Sequence, residues 1–332
     1  MKKVTLFLYA IILVMTCFIS NIYGSVIPHI IFVHLGNTIP DYGYIALEQA
    51  RLFNEDAHLC LIANKKALEN AAYDFAQQSI ITVACEDLPC SATHQIFNRY
   101  TTLDRQRRDG FWHKATERFF YIHEYAALHN LTSIVHLETD TMLYANIADM
   151  RDALSQYKGI GAVFDCDTRC IPCFMYIANA DAIGHLVDFI AHHAAHGYND
   201  MEIIAQYRAA FSQQYIDSLP LVIPEYCAHH KLVNAQNQMA ANPSDYFNNI
   251  EFFNSIFDGA AIGQFLGGID PRNGKSEPGF INETSLFNPS LVSIEWHRDE
   301  RNRNVPYAVS NGKLYRINNL HIHSKMLEKF RS

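Results

Sequence analysis

The apolar positions early in the chain fall into short β-branched runs separated by stretches with helical spacing. They predict strand, helix, strand, helix and strand at 27–35, 45–53, 58–63, 67–77 and 80–85. This alternation is typical of βαβ units with a parallel sheet. The chain is therefore predicted to open as half of a nucleotide-binding sheet. His34, at the end of the first strand, is a candidate nucleotide contact.

A helix and a strand further along lead into an acidic pair. Residues 112–129 predict an amphipathic helix, and residues 134–137 predict a buried strand that stops at Glu138 and Asp140. Carboxylates two apart in an extended segment project to the same side, so both can bind one hard divalent cation. The carboxyl end of a strand is also where open α/β sheets bind ligands. We therefore expect a metal site here that can hold a diphosphate.

The spacing of this pair is not specific by itself. A chain with 34 acidic residues contains acid-x-Asp triplets by chance, and a second one is Asp165-Cys166-Asp167. The predicted helix and strand that precede Glu138 favour the first triplet as the metal site.

The rest of the chain continues the α/β pattern. Strands are predicted at 161–165 and 173–178, helices at 182–196, 200–213 and 259–266, and an acceptor-side loop at 219–250. Strands and loops should follow from 288 to the end. We expect one catalytic domain over 25–332, with a nucleotide-binding half at 25–145 and an acceptor half with a metal and phosphate segment at 146–332.

The composition is that of a folded chain without a general affinity for nucleic acid. Hydrophobic residues make up 49% of the 332 positions, and the formal net charge is −8. Nucleic-acid binding normally requires a basic surface. An anionic nucleotide would therefore need a bound metal or a few placed Lys and Arg residues.

Residues 1–24 have the pattern of a secretory signal. Lys2 and Lys3 precede an apolar run at 4–19, and Gly24 and Ser25 are small residues suited to cleavage. The run is just short of a spanning helix, so cleavage and retention as a membrane anchor both stay open. The chain is expected in the secretory pathway or outside the cell, secreted or anchored by a single span.

Three of the cysteines are closely spaced, at Cys166, Cys170 and Cys173. This spacing is compatible with part of a zinc site that takes a fourth ligand from elsewhere. A loop disulfide or buried thiols would give the same pattern.

Taken together, these parts resemble glycosyltransferases of the GT-A fold. The resemblance covers roughly residues 27–330. It is carried by the opening βαβ unit, by Glu138-Thr139-Asp140, by the segment FDGAAIGQFLGGIDPRN at 257–273, and by the closing HIHSK at 321–325. It implies a mixed α/β sheet flanked by helices, a nucleotide-sugar donor, expected to be UDP-linked, and a glycan or glycoconjugate acceptor.

The same resemblance implies roles for several of these residues. Glu138 and Asp140 would bind Mn²⁺ or Mg²⁺, which bridges the donor phosphates. Glutamate departs from the commoner aspartate at the first position, which leaves Asp140 as the surer ligand. The family also uses a histidine near the carboxyl terminus as a metal ligand. Both His321 and His323 qualify, and we favour His323 because Lys325, a candidate phosphate contact, closely follows it.

Four other candidates have alternative roles. Lys114 and Arg118 would contact the nucleotide or its phosphates, although Lys114 could simply pair with Glu117 on a solvated helix face. Asp258 and Asp200 are candidate catalytic carboxylates. Asp200 could instead cap the helix that follows it, and Asp258 could be either a base or a sugar-binding acid. The sequence does not distinguish inversion from retention.

Two other functions fit the same residues. A metal-dependent phosphoester hydrolase would use the Asp and His residues, but it usually needs two metals and more closely clustered ligands. A non-catalytic glycan-binding protein could keep the same fold.

Overall fold

The computed structural model describes residues 27–332. The predicted signal or anchor at 1–24 lies outside this range. Within 27–332, no helix combines the length and apolarity needed to cross a membrane.

Thirteen strands form within the described range. They are β1 (His29–His34), β2 (His58–Ala63), β3 (Ile80–Ala84), β4 (Thr132–Leu137), β5 (Thr141–Leu143), β6 (Ile160–Cys166), β7 (Arg169–Asn179), β8 (Ile216–Ser218), β9 (Ser255–Ile256), β10 (Ser293–Arg298), β11 (Asn304–Ser310), β12 (Lys313–Ile317) and β13 (Asn319–His321).

Seven of these strands make the central sheet, in the order β3-β2-β1-β4-β7-β6-β8. All of its pairs are parallel except those made by β7, which runs antiparallel to β4 and β6. The carboxyl ends of β1 and β4 therefore meet at one edge. The inner strands are largely apolar because helices cover both faces of a mainly parallel sheet. The predicted mixed α/β sheet flanked by helices is confirmed.

Ten α-helices connect or follow the strands within residues 27–332. They are α1 (Asp41–Phe53), α2 (Lys65–Glu69), α3 (Ala92–Tyr100), α4 (Phe111–Leu128), α5 (Arg151–Leu154), α6 (Ala180–His192), α7 (Asp200–Phe211), α8 (Pro224–His229), α9 (Ile250–Phe253) and α10 (Ala261–Gly267).

Local sequence explains where several helices begin. Ser91 accepts a hydrogen bond from the His94 N–H at the start of α3, and Asn179 caps α6 in the same way. Asn199 and Glu202 form a capping box at the start of α7. Such side chains satisfy N–H groups that have no partner within the helix.

The carboxyl-terminal part of the chain forms two smaller sheets. One has the order β10-β11-β12-β9, and the other pairs β13 with β5 in antiparallel register. The β13–β5 pair matters for the site because β5 directly follows the acidic pair.

Several elements differ from the sequence predictions, among them α8, which forms within the segment predicted as a loop at 219–250. The helix predicted at 67–77 is wrong, because only α2 forms there and turns occupy most of 70–79. Asn70 ends this helix, and the segment that follows has aromatic residues whose rings pack against Tyr44 rather than continuing a helical face. Helix α3 is not among the predicted elements, although Ser91 is a good capping residue.

Candidate functional site

The acidic pair lies where β4 ends at the carboxyl edge of the central sheet. The Glu138 N–H donates to the Cys173 carbonyl at 3.1 Å, and the Thr141 N–H donates to the Glu138 carbonyl at 3.0 Å. This turn leads into β5 and fixes the backbone on both sides of Asp140. Asp140 is 7% exposed, so its carboxylate lies in a largely desolvated place.

His321 is brought to this pair by the β13–β5 ladder. The ladder places His321 opposite Thr141, and the Ile322 N–H donates to the Asp140 carbonyl at 2.9 Å. The His321 Nε2 atom lies 3.3 Å from Oε2 of Glu138 and 3.2 Å from Oδ2 of Asp140. Glu138, Asp140 and His321 thus form one group of possible metal ligands.

The hydrogen bond on the other side of the ring fixes its orientation. His321 Nδ1 donates to the Gly259 carbonyl at 2.9 Å, so Nε2 is the atom that faces the two carboxylates. A lone pair on Nε2 would oppose the carboxylate oxygens unless a proton or a cation lies between them. Burial opposes charge on His321, but the Asp140 carboxylate outweighs it and raises the pKa of His321 well above its usual value.

The ligand atoms of Glu138, Asp140 and His321 suit a divalent cation. Two carboxylates and an imidazole suit Mn²⁺ or Mg²⁺, and a metal-binding histidine typically donates its other N–H to a backbone carbonyl. The preference for His323 is not supported by the geometry. His323 Nδ1 hydrogen bonds with Nε2 of Gln264 at 3.0 Å, and its ring packs edge-on against that of His321.

Lys325 contacts the Asp140 member of the acidic pair. Its ammonium group forms an ion pair with Asp140 and lies 5.5 Å from the ring centroid of Tyr42. The backbone of Lys325 is in the left-handed region, with φ of 61°. Burial opposes ionisation of Asp140, but Lys325 and His321 outweigh it and hold the pKa of Asp140 well below its usual value.

Arg118 links the acidic pair to a second carboxylate. Its guanidinium lies 2.5 Å from Oε1 of Glu138 and 2.8 Å from Oδ2 of Asp200, and it is buried. Burial raises the pKa of Asp200 to about 6 despite the neighbouring arginine. Arg118 therefore acts on the site by holding Glu138, and Asp200 faces Arg118 from the start of α7.

Asp258 has no exposed surface. Its two oxygens accept the N–H groups of Ile262 and Gly263 at 2.9 Å and of His321 at 3.0 Å. The carboxylate thus joins α10 to β13. This placement favours a positioning role for Asp258 over that of a base that contacts substrate.

The remaining candidates lie around the same edge. His34 Nε2 donates to the Thr38 carbonyl at 2.8 Å, at the start of the loop after β1. Lys114 pairs with Asp109 at 2.5 Å rather than with Glu117. Both belong to segments that border the carboxyl ends of β1 and β4, but neither contacts the acidic pair.

The sequence reasoning missed two residues of this site. Tyr42, at the start of α1, lies beside Lys325, and no pattern in its surroundings singles it out. Gly263 lies so close to His321 that an added Cβ would collide with the His321 carbonyl oxygen. A glycine inside a predicted helix was the available signal for this close approach.

The second acidic triplet has structural partners instead. Asp165 is buried and pairs with Arg169, while Asp167 accepts hydrogen bonds from the Ala241 N–H at 2.8 Å and the Tyr246 hydroxyl at 2.5 Å. Within residues 27–332 neither Asp165 nor Asp167 belongs to a group of possible metal ligands, and the choice of Glu138 and Asp140 stays a prediction. The nearby cysteines Cys166, Cys170 and Cys173 are free, buried thiols.

Comparisons with known proteins returned structures but no sequence relatives. No family model and no curated protein matches the chain. The PaToxG glycosyltransferase is similar with 9% identity over 56% of this chain and 69% of its own, at a TM-score of 0.40. Mouse xyloside xylosyltransferase 1 is similar with 10% identity over 61% and 90%, at 0.43. The galactosyltransferase LgtC, solved with donor and acceptor sugar analogues, is similar with 13% identity over 67% and 82%, at 0.43.

Proposed function

We propose that the protein is a metal-dependent glycosyltransferase that uses a nucleotide-sugar donor, UDP-linked in our expectation, and a glycan or glycoconjugate acceptor. The observation that carries the proposal is the meeting of Glu138, Asp140 and His321 at the carboxyl edge of the sheet, with Lys325 in contact. This edge is the usual ligand site of open α/β sheets.

We assign a different role to the metal ligands, to Lys325 and to Arg118. Glu138, Asp140 and His321 would hold Mn²⁺ or Mg²⁺, which supplies positive charge for a diphosphate leaving group. Lys325 adds a mobile point charge on the same side, and its ammonium can move from Asp140 to a phosphate oxygen. Arg118 keeps the Glu138 side chain in place, since its guanidinium also bonds Asp200.

Two further groups fix the position of His321. The Gly259 carbonyl fixes the orientation of the His321 ring, and Asp258 accepts the His321 backbone N–H. Because its ring and its backbone are already held, His321 loses little conformational entropy when a cation binds. This preorganisation is what a site for charged leaving groups needs.

The number of ligand groups favours transfer over two-metal hydrolysis. Among residues 27–332, only one group of possible metal ligands lies at this edge of the sheet. A two-metal hydrolase places a second ion about 4 Å from the first and needs ligands for both. The site supports the binding of a single ion to a diphosphate.

Asp200 is the candidate that we retain for acceptor chemistry. Asp200 pairs with Arg118, which in turn contacts Glu138. Its Oδ1 has no hydrogen-bond partner among the described residues. A carboxyl group with a pKa of about 6 is suited to accept a proton from a sugar hydroxyl. We also propose, from residues 1–24, that the enzyme is exported, secreted or anchored.

The test is titration of the full chain with UDP, GDP and their sugar conjugates, with and without Mn²⁺, followed by turnover assays with glycan acceptors. Binding that requires the metal, together with sugar transfer, is the expected result. Release of inorganic phosphate from simple phosphoesters would instead indicate a hydrolase. Glycan binding without nucleotide binding would indicate a non-catalytic module.

A further inference from the structure

A second group of metal-ligating side chains lies between α3 and α4, away from the carboxylate–histidine site. Cys90, His94 and Glu124 each offer a ligand atom, and these atoms lie within 4.8 Å of one another. Cys90 and His94 flank the start of α3, while Glu124 lies on α4 between Arg118 and the end of that helix. Binding of a nucleotide-sugar donor at the carboxylate–histidine site gives Cys90, His94 and Glu124 no role.

The carboxylate of Glu124 has an unused oxygen. Glu124 is 3% exposed, and its Oε1 accepts the Ser91 N–H at 2.8 Å and faces His94 Nδ1 at 3.0 Å. Its Oε2 is buried and has no hydrogen-bond partner among residues 27–332. A buried carboxylate oxygen without a partner is costly, and a bound cation would satisfy it.

His94 is oriented as a metal ligand would be. Its Nε2 lies 3.1 Å from Oε1 of Glu117, and that oxygen also accepts a hydrogen bond from Asn98 Nδ2 at 3.0 Å. A histidine that donates one N–H to a fixed carboxylate presents the other nitrogen to a metal. Here that other nitrogen is Nδ1, on the side of Glu124.

Cys90 supplies a thiol at an accessible position. It is exposed and directly precedes Ser91, the residue that caps α3. Partial burial and the carboxylates of Glu124 and Glu117 raise the pKa of the Cys90 thiol, so its thiolate would depend on a bound metal. Cys90 and His94 are brought together because the chain turns into the helix between them.

We propose that Cys90, His94 and Glu124 bind a Zn²⁺-like divalent ion, with a fourth position left for water or another ligand. Thiolate, imidazole and carboxylate are all zinc ligands, and the thiolate selects against Mg²⁺ and Mn²⁺. This site would thus differ in metal preference from the one at Glu138 and Asp140. The ion would join the segment before α3 to α4.

The alternative is a proton in place of the ion. Burial opposes charge on His94, but Glu117 and Glu124 outweigh it and raise the pKa of His94 to about 9. An imidazolium between two glutamates would satisfy Nδ1 and Nε2, but it leaves Glu124 Oε2 without a partner and gives the Cys90 thiol no role. The two states differ in whether the Cys90 sulfur is bound.

Cobalt substitution distinguishes these states. The full chain carrying Asp140→Asn, which weakens the other metal site, is titrated with Co²⁺ and followed by its visible and near-ultraviolet absorption. We expect saturation at one equivalent with a thiolate-to-cobalt charge-transfer band, which Zn²⁺ then displaces. Cys90→Ser should abolish the band and weaken Co²⁺ binding at least tenfold.

The matched control is Cys227→Ser, which removes a half-buried thiol on α8 and should leave the band unchanged. Glu124→Gln should weaken binding while keeping the charge-transfer band, since the thiolate remains. Absence of the band in the parent chain, or its persistence in Cys90→Ser, would overturn the proposal. Circular dichroism of each variant checks that it is folded.

Discussion

The Nε2 atom of His321 lies 3.2 Å from Oδ2 of Asp140, although β4 and β13 belong to different sheets. The antiparallel pairing of β13 with β5 produces this contact, because it places His321 opposite Thr141. The proposed metal site is therefore shared by a strand end of the central sheet and a strand that lies far along the chain. The predictions below test the residues on both sides of this contact.

Asp140→Asn should abolish sugar transfer and leave the fold intact. The substitution removes a negative charge that the proposed cation needs, but it keeps the size and most hydrogen-bonding capacity of the side chain. We expect kcat/KM to fall by about 10³-fold or more, as happens when a main electrostatic contributor is lost. Asp152→Asn, at an exposed position of α5, is the control and should have no effect. Full activity of a folded Asp140→Asn protein would contradict the metal assignment.

His321 and His323 should differ in their effect on Mn²⁺ affinity. Only His321 has a ring nitrogen within reach of both carboxylates among the described residues, so His321→Ala should weaken Mn²⁺ binding by about tenfold or more. His323→Ala should change it less, since His323 bonds Gln264 instead. Titration calorimetry or Mn²⁺ electron paramagnetic resonance measures both. Equal losses in the two variants would mean that His323 is a ligand as well.

Asp258→Asn should lower stability. The carboxylate accepts three backbone N–H groups, and an amide has only one oxygen to accept them. An unsatisfied buried group costs about 1–3 kcal/mol, which urea unfolding can measure. An unchanged free energy of unfolding with complete loss of transfer would instead point to a direct role in the reaction.

Arg118→Met should destabilise the protein strongly. It leaves Glu138 and Asp200 without their shared partner, and removal of one member of a buried ion pair costs about 3–5 kcal/mol. Arg301→Met is the control because its pair with Glu55 is exposed and should contribute about 1 kcal/mol or less. Similar losses in the two variants would show that Arg118 is not needed to hold the buried carboxylates.

The pH dependence of stability should reveal Asp200. Its folded-state pKa of about 6 lies above the ordinary value of 3.8, so the folded state binds a proton that the unfolded state releases. The stabilising contribution is therefore fully present below about pH 4 and is lost as the pH rises through 6. The free energy of unfolding of the parent, minus that of Asp200→Asn, should fall by roughly 3 kcal/mol over this range. A flat difference would contradict the raised pKa.

The central sheet could be predicted because its strands carry their own signal. β2 is an apolar run after its first residue, and β4 has buried residues throughout its second half. Such runs reflect burial on both faces of a parallel sheet, which is a local property of the sequence. The sequence context before Glu138 also placed the acidic pair at a strand end, and the pair does follow β4, although its role stays a prediction.

The choice between His321 and His323 could not be made in this way. The two histidines occupy alternate positions of one segment, and the deciding contact comes from the register between β13 and β5. The same holds for Arg118, whose partner Asp200 lies on another helix. Long-range register depends on packing of the whole chain, which no local pattern encodes.

Residues 330–332 are joined to much earlier parts of the chain. Ser332 hydrogen bonds to Gln49 and to the Asn304 carbonyl, and the Tyr144 hydroxyl donates to the Phe330 carbonyl at 2.7 Å. During synthesis, β13 leaves the ribosome only after every strand of the central sheet has been made. A nascent polypeptide that stops short of β13 would lack His321, so the proposed metal site could form only after this segment has emerged.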